Sequence, residues 1–258
     1  MNLVVDIGNS SITFGIFDGD ELIKKFRTPS NIGVSMENHI SLIQQHLENR
    51  VLDGAIIASV VIGFDVKFKN ALDKYYGINS QILTAQTPLD LKIMLDNPLE
   101  VGADRLANAI GVLKKFGKNA IVVDFGTATT FEVVTAKREF IGGLITTGLH
   151  LQLNALSSKT SKLPNIELFP PKKAIATNTV DAILSGIVLG NACMIDGMLK
   201  KFREELGSED FIVVATGGFA SFIEGYMKDS FDYIEPNLTL EGLQAIYKAS
   251  LMSEKVSR

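Results

Sequence analysis

Short runs rich in Val, Ile and Phe punctuate the chain: Leu3–Val5, Ile12–Phe17, Ala55–Val61, Ala120–Asp124, Thr130–Val134 and Phe211–Ala215. Their length and β-branched content predict strands. Between them, apolar residues recur at steps of three and four, the period of a helix buried along one face. The clearest case is Thr179 to Phe202, where Val180, Ile183, Leu184, Ile187, Val188, Met194, Ile195, Met198, Leu199 and Phe202 form the stripe. Asn178 stands in front as an N-cap, and Asp181 falls in the first turn. The same spacing predicts helices over about 35–49, 64–76, 102–116, 148–158 and 238–251. Strands interleaved with helices predict an α/β fold.

One pattern occurs twice. Val4-Val5-Asp6-Ile7-Gly8-Asn9-Ser10-Ser11 returns as Val122-Val123-Asp124-Phe125-Gly126-Thr127-Ala128-Thr129, with the two Asp residues 118 positions apart. Each copy is a buried strand ending in Asp, then Gly, then small polar residues, and each is followed by a second strand-like run. A period of nearly half the chain is too long for a solenoid and predicts two similar α/β lobes. The boundary is expected near 115–119, giving lobes of 1–117 and 118–258, because Lys114, Lys115, Gly117, Lys118 and Asn119 interrupt the apolar pattern. Lys159 to Asn178 carries Pro164, Pro170 and Pro171 and reads as a long exposed connection or flap.

Composition narrows the function classes. The 258 residues are 46% hydrophobic and 21% charged, ordinary values for a globular protein. Twenty-nine acidic against 25 basic side chains give a net charge of −4, with no basic block, so nucleic-acid binding is not expected. A single cysteine, Cys193, can form neither an internal disulfide nor a thiolate zinc site, which suits an intracellular protein. The N-terminus meets Asp6 too early for a signal peptide. The longest uncharged run, Phe140 to Ser158, is broken by Gly142, Gly143, Gly148, Gln152 and Asn154. It suits a strand, turn and helix better than a membrane span, and Ala182 to Ile195 is shorter than a span requires. The positive mean hydropathy is therefore attributed to a large buried sheet.

Common catalytic motifs fail. Gly111 to Lys118 imitates a P-loop with one residue too many between the glycines and Asn119 in place of Ser or Thr. Neither G-x-G-x-x-G nor G-x-S-x-G occurs. His39 and His46, on an amphipathic helix, are expected at the surface. What remains is the strand–turn–strand Asp6 to Thr13, whose backbone N–H groups and hydroxyls can cradle phosphate oxygens while the carboxylate holds Mg²⁺. One copy alone reads first as a polar hairpin; two copies could grip a nucleotide's phosphates from both sides of a cleft. Thr216-Gly217-Gly218 follows another strand and lets a ligand approach the backbone. Glu100 to Asn108 puts Asp104 and Arg105 in the first turn of a helix. There a carboxylate can accept a hydroxyl proton while the guanidinium fixes an anion. Asp104 could equally complement the helix dipole.

The ordered set Asp6-x-Gly-Asn-Ser10, Gly102-Ala-Asp-Arg105, Asp124-x-Gly-Thr-Ala-Thr-Thr130, Gly142-Gly143, Asn178-Thr179 and Thr216-Gly-Gly218 resembles the type III pantothenate kinases. These belong to the acetate and sugar kinase, Hsp70 and actin superfamily, and the likeness runs from residue 2 to about 247. It implies two ribonuclease H-like lobes in a duplicated actin-like ATPase fold, with the active site in the cleft between them. It implies a cytoplasmic enzyme that phosphorylates pantothenate with ATP, the first step towards coenzyme A. By the same resemblance, Asp6, Ile7, Gly8, Asn9, Ser10, Ser11, Ile12 and Thr13 hold ATP phosphates, with Asp6 assisting Mg²⁺. Thr127 contacts ATP, and Asp124 binds a monovalent cation, K⁺ or NH₄⁺. Asp104 is the general base. Leu95, Gly102, Ala103, Asp104, Arg105 and Thr179 line the pantothenate site. Family members are homodimers, and Ser185, Gly186 and Gly190 would let the long helix pack against a second copy; no membrane partner is implied.

Three positions depart from the family. Leu95 replaces the usual Tyr before Asn97-Pro98, Thr147 replaces Pro in the Gly142-Gly-Leu-Ile-Thr-Thr-Gly148 pattern, and Ser10 stands where Thr is common. Leu95 leaves a kinase of another hydroxylated metabolite open. A non-catalytic nucleotide-binding regulator is the other alternative, although it has no need of Asp6, Asp104, Arg105 and Asp124 together.

Overall fold

The first two strands form a hairpin in which Val5 faces Phe14, and Phe14 faces Phe26 of the next strand, so alternate residues enter one core. The computed structural model describes residues 1–31, 33–159 and 166–256. Two compact units emerge, one of Met1–Gly117, Ala136–Ile141 and Asn237–Arg258, the other of Lys118–Thr135 and Gly142–Pro236.

In the first unit, β1 (Asn2–Ile7), β2 (Ser11–Asp18), β3 (Glu21–Pro29), β4 (Gly54–Ser59) and β5 (Gln81–Ile82) form a sheet of order β3-β2-β1-β4-β5. β1 runs antiparallel to β2 and parallel to β4. Helices α1 (Met36–Leu47) and α2 (Phe64–Tyr76) seal one core with Leu3, Val5, Ile7, Ile12, Phe14 and Ile57. Each such fully buried side chain contributes about 1.5–3 kcal/mol against its exposed state. Helices α3 (Ala103–Phe116) and α7 (Leu238–Val256) also belong to this unit. The short β6 (Lys92–Ile93) pairs in parallel with the opening residues of β9 (Glu139–Thr147).

The second unit repeats the plan. β7 (Ala120–Phe125), β8 (Ala128–Thr135), β9, β10 (Ile212–Gly217) and β11 (Tyr233–Ile234) follow the order β9-β8-β7-β10-β11, with β7 antiparallel to β8 and parallel to β10. Strand for strand this matches the first unit. Its core sets Ile121, Val123, Phe131, Val213 and Ala215 against α4 (Leu149–Lys159), α5 (Thr179–Leu206) and the short α6 (Ala220–Glu224). α5 is long and apolar enough to cross a membrane by length and composition, yet its stripe of Leu184, Ile187, Val188, Ala192, Ile195 and Leu199 is buried inside the unit.

Several expectations are refined. The second unit does not run to the C-terminus, because α7 returns to α3. A Cβ on Gly242 would collide with the carbonyl oxygen of Ala107, and one on Gly111 would lie 2.7 Å from the Leu238 oxygen. Thr239 donates its hydroxyl to Asn108 Oδ1 at 2.7 Å. Such backbone-to-backbone packing is invisible in the periodicity of either helix. β3 escapes prediction because Lys24, Lys25 and Arg27 break its apolar alternation, as is usual on an edge strand.

His39, expected at the surface, is instead 2% exposed, edge-on to Phe64 and tilted against Phe68. Burial lowers its pKa, which keeps the ring neutral among the aromatics. His46 is half-buried and stacks on Phe26 with ring centres 4.0 Å apart. Of the expected flap, 160–165 lie outside the described residues. Beyond them, Ile166 and Leu168 pack on the second core, and Ala174 accepts the Ser185 hydroxyl at 2.8 Å.

Candidate active site

Asp6 is the next-to-last residue of β1, paired across the sheet with Thr13 on one side and Ala58 on the other. The chain then turns through Gly8, whose N–H donates to Ser11 O at 2.9 Å. A Cβ on Gly8 would come within 3.2 Å of that oxygen, so the tight turn favours glycine. Asn9 and Ser10 stand exposed at its tip, and the Ser30 N–H bonds Ser10 O at 3.0 Å, tying the end of β3 to the loop. The result is an open polar turn with a carboxylate at its root.

Gly102 opens α3 with extended backbone, and its carbonyl accepts the Leu106 N–H at 3.1 Å. No side chain caps the helix. Instead the Asp104 carboxylate folds back over the turn and accepts the Arg105 N–H at 2.8 Å. A Cβ on Gly102 would lie 2.5 Å from Asp104 Oδ1, so the missing side chain is what leaves the carboxylate its place. Desolvation by the surrounding protein raises the Asp104 pKa, outweighing the opposing pull of the Arg105 N–H and guanidinium. The Arg105 guanidinium lies over the ring of buried Phe140, 5.3 Å from its centre. That support is distant in sequence, and no local signal points to it.

In the second unit Asp124 faces Thr130 on β8 and Thr216 on β10. Two other expected glycine motifs converge here. The Gly148 N–H donates to Thr127 O at 3.1 Å, and a Cβ there would sit 2.5 Å from the same oxygen. Gly217, at φ +87°, lies against the backbone of Phe125, where a Cβ would approach to 2.6 Å. The turn bearing Thr127 is thus clamped by main chain on two sides, and Thr127 itself is exposed. Thr147, in place of the family's Pro, still offers its carbonyl to Gln152 Nε2 at 2.8 Å.

The remaining expected residues are distributed between the units. Leu95 is half-buried in the first, just after β6 and before a single 3₁₀ turn, Pro98–Glu100. Thr179 is exposed as the first residue of α5, behind an N-cap in which Asn178 Oδ1 accepts the Asp181 N–H at 2.9 Å. Among the described residues no group of three or more His, Cys, Asp or Glu side chains converges as an all-protein metal site. Asp6 and Asp124 each stand at a strand end beside a turn rich in backbone oxygen and N–H groups. That donor set suits hard cations sharing ligands with phosphate and water.

Two sheets that share a five-strand order, the second extended by β6 beyond β9, each with Asp-x-Gly where its first strand runs out, define the duplicated actin-like ATPase and sugar-kinase class. A protein from Sinorhizobium meliloti, provisionally named 2-dehydro-3-deoxygalactonokinase, shares the fold with a TM-score of 0.60 at 15% identity, covering 96% of this chain and 99% of its own. One from Campylobacter jejuni, provisionally described as a Baf family transcriptional activator, does so at 0.59 and 20% identity, covering 96% and 98%.

The sequence narrows the class to a family. The type III pantothenate kinase family model matches residues 2–201. The type III pantothenate kinase of Thermus thermophilus is 40% identical over 253 residues, 96% of this chain and 98% of its own. The chain belongs to the type III pantothenate kinases, which phosphorylate pantothenate with ATP in coenzyme A biosynthesis. As ATP-dependent enzymes they work with a divalent cation such as Mg²⁺.

Proposed function

We propose that Asp104 is the general base for transfer of the ATP γ-phosphoryl group to the primary hydroxyl of pantothenate. The observation that carries this is a carboxylate held over a helix N-terminus with its pKa raised by burial. A raised pKa brings a base nearer the working pH, where it takes a proton more effectively. The substrate oxygen forms its bond to the γ-phosphorus as the bond from that phosphorus to ADP breaks, and the hydroxyl proton passes to Asp104. The products are 4'-phosphopantothenate and ADP.

In this reading residues 6–13 and Thr127 hold ATP, with Asp6 reaching Mg²⁺ directly or through water. Asp124 binds K⁺ or NH₄⁺, whose charge offsets that of the phosphates. Leu95, Gly102, Ala103, Arg105 and Thr179 contact pantothenate, Arg105 taking its carboxylate. The deciding assay is ADP release with ATP and Mg²⁺, with and without pantothenate, the product confirmed by mass. Turnover is expected only with pantothenate and only when K⁺ or NH₄⁺ is present. Equal rates in Na⁺ would remove the role given to Asp124, and pantothenate-independent rates would remove the assigned acceptor site.

We also place the enzyme in the cytoplasm as a homodimer. Support for the dimer comes from the second unit, where Ile145, Leu151, Phe169, Ile175 and Val180 are exposed and Gly186 and Gly190 face open space. Light scattering that returned a monomer mass would overturn the dimer, and recovery in the membrane fraction would overturn the location.

A further inference from the structure

Neither glycine turn contains a basic side chain: residues 6–13 and 124–130 hold no Lys or Arg. Yet the phosphates of ATP carry several negative charges, and phosphoryl transfer depends on neutralising them in place. The Mg²⁺ and monovalent cation proposed above offset part of that charge, and any side-chain cation that shares the task has to reach the phosphate loop from another element. The strand register identifies where one stands. Asp6 lies opposite Thr13, and Thr13 lies opposite Arg27. The three form one row across β1, β2 and β3.

Alternation fixes the face of that row. Val5, Phe14 and Phe26, one step along, turn into the core shared with α1 and α2, so Asp6, Thr13 and Arg27 occupy the opposite face. Two strand spacings of about 4.8 Å separate Arg27 from Asp6, a gap that a long, flexible side chain largely spans. β3 is also tied to the phosphate loop, through the bond from Ser30 N–H to Ser10 O at 3.0 Å.

The surroundings leave the charge available. Arg27 is exposed and forms no ion pair among the described residues. Its neighbour on the same face, Lys25, is held by Asn237 Oδ1 at 2.8 Å, and its pKa is lowered by burial and then by the charge of Arg27. Two like charges side by side are stabilised when an anion joins them. By contrast Lys24, on the same strand, already pairs with Glu48 at 3.3 Å.

We propose that Arg27 binds the phosphate chain of ATP, supplying the positive charge that the Asp6–Thr13 turn lacks. A planar guanidinium suits two phosphate oxygens at once. The inference rests on residues 6–13 being the ATP site.

The test is titration of the full-length enzyme with MgATP, alongside steady-state kinetics. Arg27→Gln is expected to weaken ATP binding and raise KM for ATP by about 10–100-fold, the range for one charge-assisted hydrogen-bonded contact. KM for pantothenate should change little. Arg27→Lys should recover part of the loss, and Lys24→Gln, which removes the same charge from the same strand, should bind ATP as the parent does. A merely structural role would lower thermal stability and would not separate the two KM values. An Arg27→Gln enzyme with unchanged ATP affinity would overturn the proposal while leaving the ATP site standing. Unchanged ATP binding after Asp6→Asn and Ser10→Ala would instead move the site itself, and the proposal with it.

Discussion

Asp104→Asn is expected to lower kcat by about 10²–10⁴-fold, the usual contribution of a positioned general base. Asn keeps the size and one oxygen for the Arg105 N–H, so the start of α3 should be preserved. Stability offers an independent check with a definite sign. Because the folded protein raises the Asp104 pKa above its ordinary value of 3.8, the carboxyl group favours folding only when protonated. That contribution is full below the unfolded pKa and is lost as pH rises through the folded one. At neutral pH the Asn variant should therefore be no less stable than the parent. The same shift places the acid limb of kcat/KM above the pH at which a free aspartate titrates, and the limb should vanish in the variant. A folded Asn variant with near-parental kcat would end the assignment of Asp104 as base.

Gly242→Ala carries the largest expected effect on stability. In an isolated helix the change should stabilise by roughly 1 kcal/mol, because Ala has the better propensity. Here the new methyl group would collide with the Ala107 carbonyl oxygen and lie 3.1 Å from the Gly111 nitrogen, both fixed main chain. Forcing α7 away from α3 should cost about 1–3 kcal/mol, the usual range for overpacking, and so cancel or outweigh the gain in propensity. α3 carries Asp104 at its start, so activity should fall along with the melting temperature. A Gly242→Ala enzyme that melts at or above the parental temperature would show that the two backbones do not need this approach. Gly63→Ala is not a suitable comparison, since its φ of +72° introduces strain of its own; Gly197→Ala, in open space on α5, is the better control.

The residues that carried most of the fold into view were the two Asp-x-Gly turns. Their strands are continuous apolar runs, legible because each is buried on both sides. Equally legible is α5, whose stripe and Asn178 cap lie where the periodicity puts them. The Asp124 turn is readable, but not its clamp. That Gly148 and Gly217 press on the main chain of residues 125–127 follows only from strands that are distant in sequence. His39 misleads because a helical stripe cannot say which polar member lies inward; Phe64 and Phe68 of α2 decide that.

By itself, then, the sequence determined the main strands and helices, the duplicated plan and the family. All of these are written in short-range order: alternation, helical spacing, glycine turns and motif spelling. Tertiary structure decided which segments share a core and what holds the site in shape. It returned α7 to α3 through two facing glycines, set Phe140 beneath Arg105, and aligned Arg27 with Asp6 across two strand pairings. These relations depend on pairing register and on the close approach of distant backbones. No local pattern encodes them, because they are fixed only when the chain packs.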